Sequence, residues 1–300
     1  MDLLVPSLPT PVFEIANEIT SVAGVRLFIK RDDLIHPTVS GNKWRKLKYN
    51  LEDAKEDGST TILTFGGAFS NHLYAVAAAG KHLGLHTIGI VRGEDHKLRE
   101  TPTLQFCREQ GMSIRYVSRA EYKLRNDAAY LEETYARFKN PYIIPEGGTT
   151  GLALKGVAEM VTETDEQLGF FPDYYAVPAG TGGTAAGLLS AGANVLAFSS
   201  LKGGTFLKDD INRLLAEFEK PGRLSLFNDY HFGGYAKWNT ELLDFINEFK
   251  RDHHIQLEQV YTGKMFYGLF DLMKKGYFLK GNTIMAVHTG GLQGLLPDLR

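Results

Sequence analysis

The sequence predicts an α/β protein built on an open, twisted parallel sheet, and three observations carry that expectation. Short apolar runs alternate with amphipathic stretches along the chain, the pattern made when strands and helices follow one another. Three glycine-rich segments fall where a strand-like run ends, the place where open α/β sheets bind ligands. The composition is that of a globular chain: 43% of the 300 residues are hydrophobic and 23% charged, far from disordered or collagenous bias.

Strands are expected at residues 27–30, 61–65, 87–91, 174–177, 195–198 and 283–287, each a short apolar run. Trp44, Leu47, Leu51 and Ala54 recur at spacings of three and four. They predict a helix from near Lys43 to near Gly58. An Ala-rich helix follows from about His72 to His82, another runs over 102–110 before Gly111, and one with a single apolar face covers 241–250. Turn residues gather at 141–149 and 219–232, which reads as two crossings between lobes.

Charge and cysteine content exclude several classes. The 33 basic and 35 acidic residues leave a net charge of -2 with no basic stripe, which argues against nucleic acid as a partner. One cysteine, Cys107, forms neither an internal disulfide nor a thiolate cluster, as in a reducing compartment. Residues 1–10 lack a leader pattern, and no apolar run approaches the ~20 residues of a bilayer span. A cytoplasmic location without membrane contact is the expectation. His253-His254 lack a metal-hydrolase pattern, and no metal site is expected.

The first glycine-rich loop contains Gly180, Thr181, Gly182, Gly183 and Thr184. Its glycines let successive N–H groups converge, Thr184 is placed to cap the next helix, and the helix start favours an anion such as phosphate. Gly180, Gly182 and Ala185 also fit a dinucleotide fingerprint. However, the acid expected about 20 residues on is replaced by Ser199-Ser200-Leu201-Lys202, which disfavours NAD and leaves an NADP-linked oxidoreductase as a rival. The second loop, Gly66 to His72, puts Ser70 or Asn71 at a helix N-cap, with N–H groups suited to a small carboxylate. The third, Val287 to Gly291, is by itself a turn signal.

Lys43 lies at the expected start of a helix. The macrodipole disfavours a cation there, lowers the amine's pKa and frees it as a nucleophile, as a lysine that condenses with a carbonyl requires. Read alone, such a lysine is more often simply solvated; the loops around it point the other way.

Taken together, Ser40 to Leu47, Gly66 to His72, Gly180 to Thr184, Val260 to Lys264 and Thr289 to Gly291 resemble the D-cysteine desulfhydrase and 1-aminocyclopropane-1-carboxylate (ACC) deaminase family. That family belongs to the tryptophan-synthase-β-like enzymes that use pyridoxal 5'-phosphate (PLP). The resemblance runs from Pro9 to Gly291. It implies two lobes: a large PLP-binding one from residues 1–45 and 145–300, and a small one inserted at 46–144. It implies that Lys43 carries PLP and that Gly180, Thr181, Gly182, Gly183 and Thr184 hold its phosphate. Asn71 would lie against the ring hydroxyl. Ser70, Asn71 and His72 would receive the substrate carboxylate, and Tyr235 and Tyr261 would be the active-site tyrosines. A homodimer is also implied.

Within the family, the deaminases have Glu after the second tyrosine and Leu before the final Gly-Gly pair. This chain has Thr262 and Thr289 there, as in the desulfhydrase branch. A hydroxyl facing the pyridine nitrogen leaves the ring a weaker electron sink than a carboxylate does. That suits expulsion of thiolate better than opening a cyclopropane. The resemblance thus implies β-elimination on a small D-amino acid: D-cysteine gives pyruvate, hydrogen sulfide and ammonia, with Lys43 or Tyr261 as the α-proton base. ACC deamination to 2-oxobutanoate and ammonia is the alternative. The chain departs from the family at Trp44, bulkier than expected beside the lysine, and is shorter between Val91 and Pro141 and after Ser200.

Overall fold

The computed structural model describes residues 4–93 and 101–299; the first three residues of the N-terminal stretch lie outside it. Its frame is two sheets. The larger has six strands in the order β1 (Val12–Ile15), β2 (Arg26–Lys30), β10 (Thr283–Val287), β7 (Tyr174–Ala179), β8 (Val195–Ser199) and β9 (Leu224–Phe227). β1 pairs antiparallel with β2, and every other pairing is parallel. The smaller sheet has four parallel strands, β5 (Ser113–Val117), β4 (His86–Arg92), β3 (Thr61–Gly66) and β6 (Tyr142–Ile144).

Strand alternation explains how the large sheet is covered on both faces. Leu27 and Ile29 of β2 face one core with Ala176 and Leu196. Phe28 faces the other with Tyr175, Val177 and Val195. The first core is closed by α10 (Thr240–His253) and α11 (Thr262–Lys274), through Leu242, Ile246, Phe249, Phe266 and Leu269. The second is closed by α7 (Gly151–Leu168), α8 (Gly183–Ser190) and α9 (Leu207–Leu214). Burial on both faces is what parallel sheets require.

The small sheet packs Ile62 and Val91 against α3 (Asn71–Leu83), α4 (Pro102–Glu109) and α2 (Asn42–Glu56). Trp44, Leu47, Leu51 and Ala54 form the apolar stripe of α2 there. On the opposite face, Leu63, Phe65, Ile90 and Val117 enclose Tyr122.

The 219–232 segment was expected to cross between lobes, and it does not. It carries β9, which pairs parallel with β8 at the edge of the large sheet. Leu224 and Leu226 turn to one core and Phe227 to the other. Trp44, the bulky departure beside Lys43, also leaves the site open. Its ring is buried and its Nε1–H donates to the Leu4 carbonyl at 3.0 Å.

A charged cluster fixes α2 from behind. Arg45, fully buried, donates to Asp32 at 2.7 and 2.9 Å and to Glu163 at 3.0 Å. Lys30, equally buried, donates to Glu163 at 2.5 Å and to the Thr10 carbonyl at 2.9 Å. Two cations and two carboxylates thus join β2, α2 and α7, with only Glu163 partly open to solvent.

Candidate active site

The carboxyl ends of β3, β4, β6, β7 and β10 open onto one cavity of about 670 Å³. The loops expected to carry chemistry line it together, although Lys43 and Thr289 are 246 residues apart in the chain. Of the residues singled out from the sequence, Lys43, Ser70, Asn71, His72, Gly180, Thr181, Gly182, Gly183, Thr184, Tyr235, Tyr261 and Thr289 all reach its wall, and Thr262 does not.

Lys43 is presented by the first turn of α2. Gly41 precedes it at φ 65°, and a Cβ there would fall 1.9 Å from the Thr289 carbonyl oxygen. Only glycine permits that approach. The Thr289 carbonyl accepts the Asn42 N–H at 3.3 Å, tying the start of α2 to the end of β10. The Lys43 ammonium donates to the Gly147 carbonyl at 3.3 Å. Burial pulls its pKa down to about 8, against the opposing effect of Glu146. A second lysine shares that carbonyl: Lys46 Nζ lies 3.2 Å from Gly147 O and 3.4 Å from Thr149 Oγ1. Lys46 is buried and has no carboxylate partner among the described residues. Burial, then the charge of Lys43, holds its pKa well below the ordinary value.

The loop after β7 leads into α8, whose N-cap is Gly182 and whose first N–H groups lack intrahelical acceptors. Thr184 therefore does not cap this helix, contrary to the expectation from sequence. It lies two residues beyond the N-cap, and its hydroxyl accepts the Asn42 side-chain amide at 2.8 Å. Thr181 pairs with Thr149 at 2.9 Å. A Cβ on Gly183 would sit 2.8 Å from Lys46 Nζ, so the buried amine faces the glycine loop directly.

The loop after β3 does cap its helix through Ser70, whose Oγ accepts the Leu73 N–H at 3.2 Å. The Asn71 and His72 N–H groups of the first turn lack intrahelical acceptors. The Asn71 carboxamide oxygen is fixed by Gln293 Nε2 at 2.8 Å. The imidazole of His72 does not turn toward a substrate carboxylate. Its Nε2 lies 2.8 Å from Thr64 Oγ1, which itself donates to the Ile144 carbonyl at 2.7 Å. That chain assigns the proton to Nε2. Burial, then Lys43 and Lys46, push the ring's pKa well down. The ring therefore stays neutral, and the His72 backbone N–H is the group left open at the helix start.

Tyr235 and Tyr261 meet ring to ring, with centroids 6.0 Å apart. Burial raises both phenols, Tyr261 well above the ordinary value. Tyr235 reaches over the cavity to the Phe69 carbonyl at 3.4 Å. Its loop is gripped by the buried Lys264, which donates to His231 O at 2.9 Å and Gly234 O at 2.8 Å. Thr262 opens α11, fully buried, and its hydroxyl is 3.2 Å from Glu258 Oε1. The Glu258 carboxylate also accepts the N–H groups of Val260, Tyr261 and Thr262 at 2.6–2.8 Å. Glu258 thereby fixes the backbone that carries Tyr261.

A family model described as pyridoxal-phosphate-dependent enzyme matches residues 6–197. The chain belongs to that family. It is 36% identical to a putative ACC deaminase of Pyrococcus abyssi, over 95% of this chain and 90% of that protein. It is 32% identical to the mitochondrial bifunctional D-cysteine desulfhydrase/ACC deaminase of Arabidopsis thaliana, over 96% of this chain and 77% of that protein. The crystal structure of an ACC deaminase homologue superposes with a TM-score of 0.81 at 32% identity, covering 97% of this chain and 91% of the other. A hydrogen sulfide-producing enzyme from Fusobacterium nucleatum, 16% identical over 96% of this chain and 97% of that one, shares the fold with a TM-score of 0.68.

The cofactor is therefore PLP, and the NADP-linked reading of the glycine loop falls. The residues present fit PLP: a buried amine without a carboxylate faces a cradle of glycine N–H groups, the arrangement a phosphate dianion completes. Lys46 went unnoticed in the sequence because it reads as one more base in a basic helix start. Glu146, Arg92 and Arg125, which also line the cavity, carry no sequence signal because each comes from a different segment, Arg92 from the end of β4.

Proposed function

We propose that this PLP enzyme catalyses β-elimination from a small D-amino acid, D-cysteine being the simplest, to give pyruvate, hydrogen sulfide and ammonia. One observation carries the reading: among the described residues, no free carboxylate side chain is offered to the cavity beside Tyr261. Thr289 lines it and Thr262 follows Tyr261, while both oxygens of Glu258 are occupied by backbone N–H groups. The carboxylates that do line it, Glu146 and Asp210, are held by Arg125 at 2.6 Å and Arg213 at 2.5 Å.

Bound PLP supplies the electron sink for the pair left when the α-proton departs. The chain's own groups do the rest. Lys46 and the glycine loop take the phosphate. The first-turn N–H groups of α3 take the substrate carboxylate. Lys43, with its pKa near 8, is the better base for the α-proton, because the raised pKa of Tyr261 keeps that phenol protonated. Tyr261 and Tyr235 then act as hydrogen-bond donors near the departing sulfur.

The second reading, ACC deamination, is favoured by the names of the relatives. Purified holoenzyme is given D-cysteine and ACC in parallel, and the keto acids are separated. Pyruvate and sulfide from D-cysteine, in excess over 2-oxobutanoate from ACC, are expected. 2-Oxobutanoate alone would replace the first reading by the second.

A further inference from the structure

The cavity holds more positive charge than a phosphate and an α-carboxylate use. Lys46 faces the phosphate cradle, Lys43 the reacting centre and α3 the α-carboxylate. Three guanidinium groups line the wall: Arg213, exposed and held by Asp210 at 2.5 Å, and two that remain, Arg92 at the end of β4 and Arg125. Both lie against one ring, that of the buried Tyr122, with Cζ 5.5 and 4.9 Å from its centroid. The two cations are thereby brought to one side of the cavity. Arg125 is half neutralised by Glu146 at 2.6 Å. Arg92 makes no ion pair among the described residues. It also stands beside the carboxylate-binding loop, with Nη2 3.6 Å from where a Cβ on Gly67 would lie. Asn126, next in the chain to Arg125, lines the same wall and adds a neutral donor.

We propose that the preferred substrate of this site carries a second anionic group on its side chain, bound by Arg92 and Arg125. The ligand class is a β-substituted alanine whose tail ends in a carboxylate, phosphate or sulfonate. This rests on the β-elimination reading and narrows it. D-Cysteine satisfies the reactive end of the cavity and leaves both arginines unused, whereas an acidic tail reaching the wall beside Gly67 engages them. An arginine fork suits each of these planar or tetrahedral oxyanions.

The test compares an acid with its amide on the holoenzyme. S-Carboxymethylcysteine and S-carbamoylmethylcysteine differ in charge and hardly in shape. Both enantiomers of each are titrated while the cofactor absorbance is followed, and pyruvate is assayed. O-Phosphoserine in a third arm tells a phosphate site from a carboxylate site, and D-cysteine on the same preparation reports the underlying activity. The acid should half-saturate at a concentration about 10- to 100-fold below its amide, the range of a charge-assisted contact. That ratio should fall toward one in Arg92→Gln and recover partly in Arg92→Lys. Equal half-saturation by acid and amide in the unaltered enzyme, or a ratio that survives in Arg92→Gln, overturns the proposal. If D-cysteine is turned over in either case, the β-elimination reading stands without it.

Discussion

Replacing Lys46 by Met should move two quantities in opposite directions. Lys46 Nζ is buried, with two neutral oxygens 3.2 and 3.4 Å away and no carboxylate. The Lys43 amine, on the same carbonyl, adds repulsion. Met fills a similar volume without charge. It orphans nothing, because Gly147 O keeps Lys43 and Thr149 Oγ1 keeps Thr181. The cofactor-free chain should therefore melt at or above the parent, because a buried amine with only two neutral acceptors costs more to bury than a thioether. The loaded enzyme loses a charge-assisted contact to phosphate worth about 1.5–3 kcal/mol, so PLP should bind about 10- to 150-fold more weakly. Thermal unfolding of dialysed protein, with absorbance titration of PLP, reads both. A cofactor-free variant that melts below the parent and still binds PLP with unchanged affinity would refute the placement of Lys46 at the phosphate.

Three further outcomes are expected. Uptake of PLP by the cofactor-free chain requires the neutral Lys43 amine, whose pKa burial sets to about 8. Its rate, followed by absorbance, should rise about tenfold per pH unit below that value and level off above it; a flat profile contradicts it. Arg45→Leu leaves the buried Asp32 carboxylate without its ion-pair partner, while Glu163 keeps Lys30, and should cost about 3–5 kcal/mol in urea unfolding. Lys264→Met releases the loop that carries Tyr235, where Phe232 and Ala236 both hold φ 52°, a backbone state costing about 1–3 kcal/mol each unless held in place. kcat/KM should fall about tenfold, a loss of one such hydrogen-bonded restraint, while the dissociation constant for PLP stays within error.

The elements most legible in the sequence were those whose burial is continuous and local. All six strands expected from apolar runs exist. The stripe of Trp44, Leu47, Leu51 and Ala54 places α2 within two residues. What escaped was set at a distance. β1 and β9 are four-residue edge strands, partly exposed, whose apolar residues are interrupted by Glu14 and Ser225. Lys30, Arg45 and Lys46 read as solvated bases. They are buried because Glu163, Asp32 and the Gly147 carbonyl come to them from elsewhere in the chain. The chemistry of the loops was legible because glycine, hydroxyl and amide residues mark strand ends without reference to partners. The orientation within each loop was not, as Thr184 and His72 show: Asn42 and Thr64 decide where those side chains turn.

The central claim is that Lys43, and not its neighbour Lys46 on the same carbonyl, carries the cofactor. Reduction of the PLP-loaded enzyme with borohydride fixes the cofactor to whichever amine holds it, and peptide mass spectrometry locates the label. The account predicts a single pyridoxyl group on Lys43. A label on Lys46, or none on either lysine, would contradict it.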